Sequence, residues 1–278
     1  MITLLDIWNA LLTSLFAGVF GLFRLAGLAG SLWLFSILAG IGMLWLFGRL
    51  SNQARIKKLK NQMQAEIIAI RLFQNDLGVL FKTQLRVLMK TGVYLRYTAT
   101  PMLILFVPLL FLLIQFNLFY SYTPLAVGRD AVVTLKLADD SLFRQSVPVT
   151  LQAPAFASVE TEPIWIPTEK AIAWRIRGDM PGTGKLSITI DGQEIGKELV
   201  VGDTPGRVSP LRTRQGLDLL LNPGERALPS TLPVKSVQIT YPPRDIPLAG
   251  WNIHWIIQFF ILSLLAGYLC KGWLKVEF

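Results

Sequence analysis

Cysteine and histidine are nearly absent from this chain of 278 residues, which contains one of each. The single cysteine, Cys270, excludes a disulfide framework within the chain. The single histidine, His254, excludes a metal site built from several histidine and cysteine ligands. Charged residues are also scarce, at 16%. We therefore expect neither a metal nor another cofactor, and these absences argue against most metalloenzymes.

Apolar residues are abundant instead, because AVILMFWYC make up 52% of the chain. This is more apolar surface than one globular core of this size needs, which predicts an integral membrane protein. The net charge of +9 could indicate a nucleic-acid partner. In a membrane protein, however, the position of the charges matters more than their sum, and we expect no DNA partner.

Three segments are predicted to cross the membrane. Residues 101–120 and 251–270 contain no charged residue over the roughly 20 positions that a helix needs to cross hydrocarbon. Residues 25–48 are also uncharged, and they predict a first span over residues 30–48. The sequence therefore predicts an α-helical bundle with three spans.

The N-terminal segment, residues 1–29, allows two interpretations. Residues 7–23 are apolar enough to cross the membrane, but small and polar residues recur on one side at steps of three and four. That pattern is typical of an amphipathic helix lying in the membrane interface. The alternative is an additional span.

Charge predicts the orientation of the spans. Residues 49–100 hold ten basic and two acidic residues, whereas residues 121–250 hold fourteen of each. The positive-inside rule places residues 49–100 and the tail, residues 271–278, in the cytoplasm. It places residues 121–250 outside the cytoplasmic (inner) membrane, together with the N-terminus if residues 7–23 are interfacial.

Residues 49–100 are predicted to form a basic helical hairpin resembling a coiled coil. Apolar residues recur at steps of about three and four on both sides of a turn at residues 75–78. They are Ile56, Leu59, Met63, Ile67, Ile70 and Phe73 before the turn, and Phe81, Leu85, Leu88 and Val93 after it. Pro101 and Pro108 favour a break or kink in the second span.

Residues 121–250 are predicted to form an extracytoplasmic all-β sandwich. Short alternating runs are separated by proline and glycine, as in antiparallel sandwiches. The runs are residues 131–137, 147–152, 172–177, 186–190, 197–201 and 234–241. Residues 190–193, with the Asp-Gly pair at their centre, predict a β-hairpin.

No catalytic arrangement stands out, and we expect no enzyme. Residues 179–186 resemble a phosphate-binding loop, but Asp179 replaces its first glycine and Leu186 its final hydroxyl residue. Asp139 and Asp140 could bind a cation, although an exposed turn explains them as well. His254, at the outer end of a span, is interpreted as an interfacial side chain.

Two groups of residues are candidates for binding. The first comprises polar residues within the spans that could line a groove or contact another subunit: Ser36, Gln115 and Asn117. Gln115 is the main candidate, because it lies deeper than Asn117 and an amide in hydrocarbon needs a partner. The second group is basic and could contact anionic lipid or ribosomal RNA, or serve only as a topology signal: Arg55, Lys57, Lys58 and Lys60.

The order of these parts resembles the YidC/Oxa insertase superfamily, which includes an insertase-like subunit of the endoplasmic reticulum membrane complex. The similar passages are ARIKKLKNQMQAEI, FKTQLRVLMKTGV and PMLILFVPLLFLLIQFNLFY, within roughly the first 120 residues. The resemblance implies a groove, open to cytoplasm and lipid, that draws in the polar flank of a substrate helix. Many bacterial members have a basic residue within the first span, whereas residues 25–48 here have none.

Two functions follow from this pattern. The first is an insertase or chaperone for membrane proteins, whose hairpin would recruit a ribosome or nascent chain. The second is a non-enzymatic subunit of a cell-envelope assembly, built on an insertase-like scaffold and binding partner helices, lipid and an extracytoplasmic component. The second accounts better for the large outer domain and for the uncharged first span, so we favour it.

Overall fold

The computed structural model describes residues 14, 18, 21, 27–72, 77–138, 148–203, 206–214, 216–229, 231–248 and 250–277. The chain forms two compact units. The helical unit consists of Leu32–Leu112 and Ile256–Phe278, and the β unit consists of Met1–Ser31 and Leu113–Trp255. The interpretations of residues 7–23, of the turn at Asn75 and Asp76, and of Asp139 and Asp140 fall outside the described residues, apart from three isolated positions in the first segment.

Helices overlap each of the three segments predicted to cross the membrane and both sides of the predicted hairpin. In chain order they are α1 (Gly27–Leu50), α2 (Gln53–Leu72), α3 (Leu77–Tyr120), the short α4 (Leu217–Leu221) of the β unit, and α5 (Trp255–Cys270). Asn52 caps α2, since its Oδ1 accepts a hydrogen bond from the Arg55 amide at 3.1 Å. Two of the described helices are long and apolar enough to cross a membrane, α1 and the Phe81–Tyr120 part of α3. This criterion rests on length and composition alone, and it indicates association with a membrane.

Helix α3 has no break at the two prolines, because it continues through both Pro101 and Pro108 over 44 residues. The predicted kink stays a prediction. A proline removes one backbone hydrogen bond and leaves the rest of the ladder in place. In a long apolar helix the remaining bonds and the lack of competing water favour continuity. The second half of the hairpin and the second predicted span are therefore a single element.

Helices α2 and α3 of the hairpin do pair. The contact is not made by the apolar residues whose spacing predicted α3. Phe81, Leu85, Leu88 and Val93 are all exposed. The face towards α2 is mostly polar and aromatic, and its residues are partly or fully buried: Thr83, Val87, Lys90, Thr91, Tyr94 and Thr98. Residues two positions apart lie about 200° apart around a helix, so Phe81 and Thr83 are on nearly opposite faces.

Two antiparallel sheets build the β unit, as predicted. The larger sheet has the order β3-β5-β1-β9-β8 with β4 beside β5, the smaller has the order β2-β6-β7, and β10 and β11 form a separate hairpin. The strands are β1 (Asp130–Leu137), β2 (Val149–Gln152), β3 (Ala157–Val159), β4 (Ile164–Ile166), β5 (Ala171–Gly178), β6 (Gly182–Ile190), β7 (Gln193–Val201), β8 (Leu211–Thr213), β9 (Val234–Ile239), β10 (Ile246–Leu248) and β11 (Trp251–Ile253). Apolar residues of the two main sheets, including Val133, Trp174, Ile188 and Leu199, share one buried core. This is the arrangement expected of a sandwich.

The β6–β7 hairpin confirms the Asp-Gly prediction in detail. Ile190 pairs with Gln193, and the two residues between them have positive φ angles, 48° at Asp191 and 74° at Gly192. These angles are those of a tight turn that matches the twist of a hairpin. The segment that resembled a phosphate-binding loop enters β6 at Gly182, so it does not open a helix.

The third predicted span begins later than expected, and its first residues are a correction. Residues 251–253 form strand β11, which pairs with β10 across a turn where Gly250 has a φ of 86°. The backbone of residues 251–253 pairs with β10 in this hairpin, so the helix starts only at Trp255. The resulting α5 has 16 residues, about 24 Å of helix.

Candidate functional site

Helices α1 and α5 of the helical unit pack with almost no space between their backbones. A Cβ atom placed on Gly40 would lie 2.2 Å from the carbonyl oxygen of Ser263. A Cβ on Gly267 would lie 3.6 Å from the carbonyl oxygen of Gly40. Close approach through small residues is how helices associate in lipid, where apolar side chains gain little from contacting each other instead of lipid tails.

Polar side chains of α1 and α5 form hydrogen bonds to partners within the helical unit. The indole nitrogen of Trp33 donates a hydrogen bond to Oε1 of Gln258 at 3.1 Å. The candidate residue Ser36 is fully buried and donates to the Leu32 carbonyl at 2.7 Å. Gln258 is one of the polar residues within the predicted spans, but it was not chosen as a candidate, although an amide within an apolar span is the same signal that drew attention to Gln115. Gln258 and Ser36 therefore both have hydrogen-bond partners within this unit.

The candidates Gln115 and Asn117 lie near the end of α3, in the β unit. The Gln115 side chain is only 1% exposed. Asn117 is half-buried, and its Oδ1 accepts a hydrogen bond from the hydroxyl of Ser121. That hydroxyl also accepts a hydrogen bond from Trp255 Nε1 at 2.7 Å. The structure thus places Asn117 in a polar chain that ends at the start of α5.

The last turn of α3 is tied directly to the β unit around it. Arg244 donates from Nη1 to the Phe119 carbonyl at 2.8 Å, and its backbone amide donates to the Ser121 carbonyl at 2.9 Å. The Val208 amide donates to the Leu118 carbonyl at 2.9 Å. A cation at this position also complements the negative end of the helix dipole. Within the β unit, the last turn of α3 is therefore bonded to residues 208 and 244, and sequence reasoning missed Arg244 because its role depends on a distant partner.

A buried ion pair lies inside the β unit. Lys197 is fully buried, donates to the Ser209 carbonyl at 2.6 Å and forms an ion pair with Glu225. Burial lowers the pKa of the Lys197 ammonium, and the Glu225 charge opposes this effect. Glu225 also accepts a hydrogen bond from the Glu198 amide at 2.9 Å. These bonds connect the segment before β9, which contains Glu225, to strand β7, and they stabilise the β unit.

The four basic candidates of the hairpin do not act alike. Arg55 donates to the Tyr97 hydroxyl, with its guanidinium 5.3 Å from the centre of that ring. Lys60 forms an ion pair with Glu277 at 3.1 Å, and its hydrogen bond lowers the pKa of the Glu277 carboxyl. Lys57 and Lys58 are exposed. These two side chains can contact lipid or RNA without losing a hydrogen bond or ion pair among the residues that the structure describes.

An exposed apolar surface on the hairpin is the feature that sequence reasoning did not anticipate. It consists of Phe81, Leu85, Leu88 and Leu95 on α3, and we call it the exposed seam. Phe81 is 74% exposed and Leu88 is 63% exposed. The steps between successive members are four, three and seven residues, with Gly92 within the last step. This is the a/d spacing of a coiled coil, with one seam open.

Comparison with family models, curated proteins and solved structures finds no match to this chain. The chain has two helices of membrane-crossing length and a β-rich unit of antiparallel sheets. No group of three or more residues suited to holding a metal ion occurs in the part of the chain that the structure describes.

Proposed function

We propose that this protein is a non-enzymatic subunit of a cell-envelope membrane assembly. In this proposal α1, the outer half of α3 and α5 cross the inner membrane, and the hairpin faces the cytoplasm. The β unit lies outside, where it binds an extracytoplasmic component, while the helices bind partner helices and lipid. The charge difference between residues 49–100 and residues 121–250 supports this orientation.

The observation that carries the proposal is the internal use of the polar groups in α1 and α5. A hydrated groove for polar substrate flanks needs side chains that are free to bind them. Ser36 instead bonds to its own helix, and Gln258 accepts from Trp33. The close contact at Gly40 also brings α1 and α5 together where a groove between them would need space. These features favour a packed scaffold over an insertion path.

The experiment is purification of the tagged full-length protein from native membranes in mild detergent, followed by mass spectrometry. We expect stable partners, at least one of which has an extracytoplasmic domain. Gln115→Leu is the discriminating variant, with Thr100→Ala as a control on an exposed hydroxyl of the same helix. Gln115 is only 1% exposed, so loss of partners in Gln115→Leu with normal yield and an unchanged unfolding midpoint would support a subunit role for the surface around it. Unchanged partner recovery and unchanged insertion of substrates would show that Gln115 is a bystander.

The second candidate function is a membrane-protein insertase of the YidC/Oxa type. The basic hairpin favours it, because ribosome or nascent-chain recruitment would use the exposed Lys57 and Lys58. Depletion of the protein should then impair insertion of a reporter with a short polar flank, measured by protease protection. A normal insertion rate in depleted cells, together with loss of an envelope complex, would exclude the insertase in favour of the subunit.

A further inference from the structure

We infer that the exposed seam is the docking site for a helix of another protein that has apolar a/d positions and acidic flanking positions. This inference rests on the proposed function and names the chemistry of one partner. Phe81, Leu85, Leu88 and Leu95 lie on the side of α3 that faces away from α2. The hairpin already pairs through its other face, so the seam could accept one further helix and complete a three-helix arrangement.

The charge around the seam argues for an acidic partner. Lys82 and Arg96 each follow a seam residue in sequence, where the flanking positions of a coiled coil lie. Residues 77–100 contain no acidic residue. Glu66 on α2 is engaged by Lys90 at 2.8 Å and by Arg86 at 3.5 Å, and the Lys90 hydrogen bond lowers the pKa of its carboxyl. Among the residues that the structure describes, no ion pair involves Lys82 or Arg96, so an acidic partner helix could pair with both.

The same charge disfavours two other protein occupants. A second copy would place basic flanks against basic flanks, which costs free energy in a coiled coil. Nascent membrane segments commonly carry lysine and arginine on their cytoplasmic flanks, and these would meet the same repulsion. An acidic amphipathic helix of a resident partner meets neither obstacle.

The length of α3 disfavours a bilayer surface as the occupant. The helix is continuous through Pro101, so Leu95 lies about 9 Å along its axis from that proline and Phe81 about 30 Å. The polar interface of a bilayer is only about 6 Å deep on each side. One membrane surface cannot cover the whole seam of a helix that rises out of it.

The test uses the full-length protein in nanodiscs of zwitterionic lipid and synthetic helical peptides as probes. One peptide has leucine at a and d with glutamate at e and g, and its control has lysine at e and g. We expect the glutamate peptide to bind and the lysine peptide not to bind, as measured by fluorescence anisotropy. Leu88→Glu should weaken binding by about tenfold or more, because it removes one buried leucine and adds a like charge.

Ile68→Glu on α2 is the matched control, since Ile68 is 66% exposed but lies outside the seam. We expect it to change binding by less than about twofold. Equal effects of the two variants would overturn the inference. So would a Leu88→Glu effect confined to self-association or to binding of anionic vesicles. If peptide binding fails while the purified complex keeps its partners, the docking site is wrong and the proposed function stands.

A photo-crosslinker at Leu88 in intact cells provides the second measurement. A crosslink to a helix whose sequence has an apolar heptad with acidic flanks supports the inference. A crosslink to a second copy, to a nascent chain or to lipid overturns it.

Discussion

Replacing Gly40 tests whether α1 and α5 are held together by backbone contact. The added Cβ of Gly40→Ala would lie 2.2 Å from the Ser263 carbonyl oxygen, 2.8 Å from its carbonyl carbon and 2.8 Å from its Cα. Ordinary van der Waals contact begins at 3.4 Å. All three atoms belong to the backbone, so no side-chain rotation can relieve the clash. The helices must separate locally by about an ångström.

The loss of stability in Gly40→Ala follows from that separation of the two helices. A gap of about 0.5–1 Å forfeits a quarter to a half of the dispersion energy of the atoms involved. Overpacking of this kind costs about 1–3 kcal/mol, and Gly40→Leu should cost more. Trp33 and Gln258 are on the same two helices, so the larger variant should also strain their hydrogen bond.

Gly42→Ala is the matched control, because nothing lies within 4 Å of a Cβ at that position on the same helix. The assay is thermal unfolding in detergent by fluorescence-detected size exclusion. Maleimide labelling of the half-buried Cys270, at the end of α5, reports displacement of that helix. We expect Gly40→Ala to lower the midpoint and speed labelling, and Gly42→Ala to do neither. Equal behaviour of the two variants would refute the close contact.

Three further predictions concern topology and the β unit. In a Cys270→Ser background, single cysteines are placed at Gln62 and Gln193. An impermeant thiol reagent should label them from opposite sides of the membrane. Labelling of both from one side would refute the assigned orientation. The fragment of residues 123–247 should express alone and give a β-type circular dichroism spectrum, and a helical or disordered spectrum would contradict its autonomy. In that fragment Glu225→Gln should lower the free energy of unfolding by about 3–5 kcal/mol, because it leaves the Lys197 charge buried without its partner. The double variant with Lys197→Met should recover much of this loss in urea denaturation, and an additive loss would show that the two side chains are not coupled.

Local sequence signals predicted the parts of the fold whose structure depends on near neighbours. The Asp191-Gly192 turn was predictable because few residues adopt positive φ, and the adjoining alternating residues supplied the two strands. Strands β3, β4, β8 and β10 were not identified, because three residues are too few to show a period. Their extended conformation depends on pairing with strands that are distant in sequence.

The candidate site was harder to predict than the fold. Periodicity at Phe81, Leu85 and Leu88 indicated that α3 has an apolar face, but it could not show which face meets α2. The structure assigns that contact to residues such as Thr91, whose hydroxyl donates to Met63 Sδ at 3.5 Å. Apolar composition also failed to distinguish strand from helix at residues 251–253. Gly250 itself was the available signal, since glycine commonly marks a turn, and its φ is positive in the structure.

The bond from Arg244 to the end of α3 has a consequence for the order in which the chain matures. Its two partners are separated by 125 residues. During synthesis the end of α3 therefore emerges long before the residue that caps it, and the intervening strands must be made first. Closing so long a loop is entropically unfavourable until the strands have paired, which predicts a late and slow final step. Until then the unpaired carbonyls at the end of α3 would be accessible to other binding partners, including chaperones.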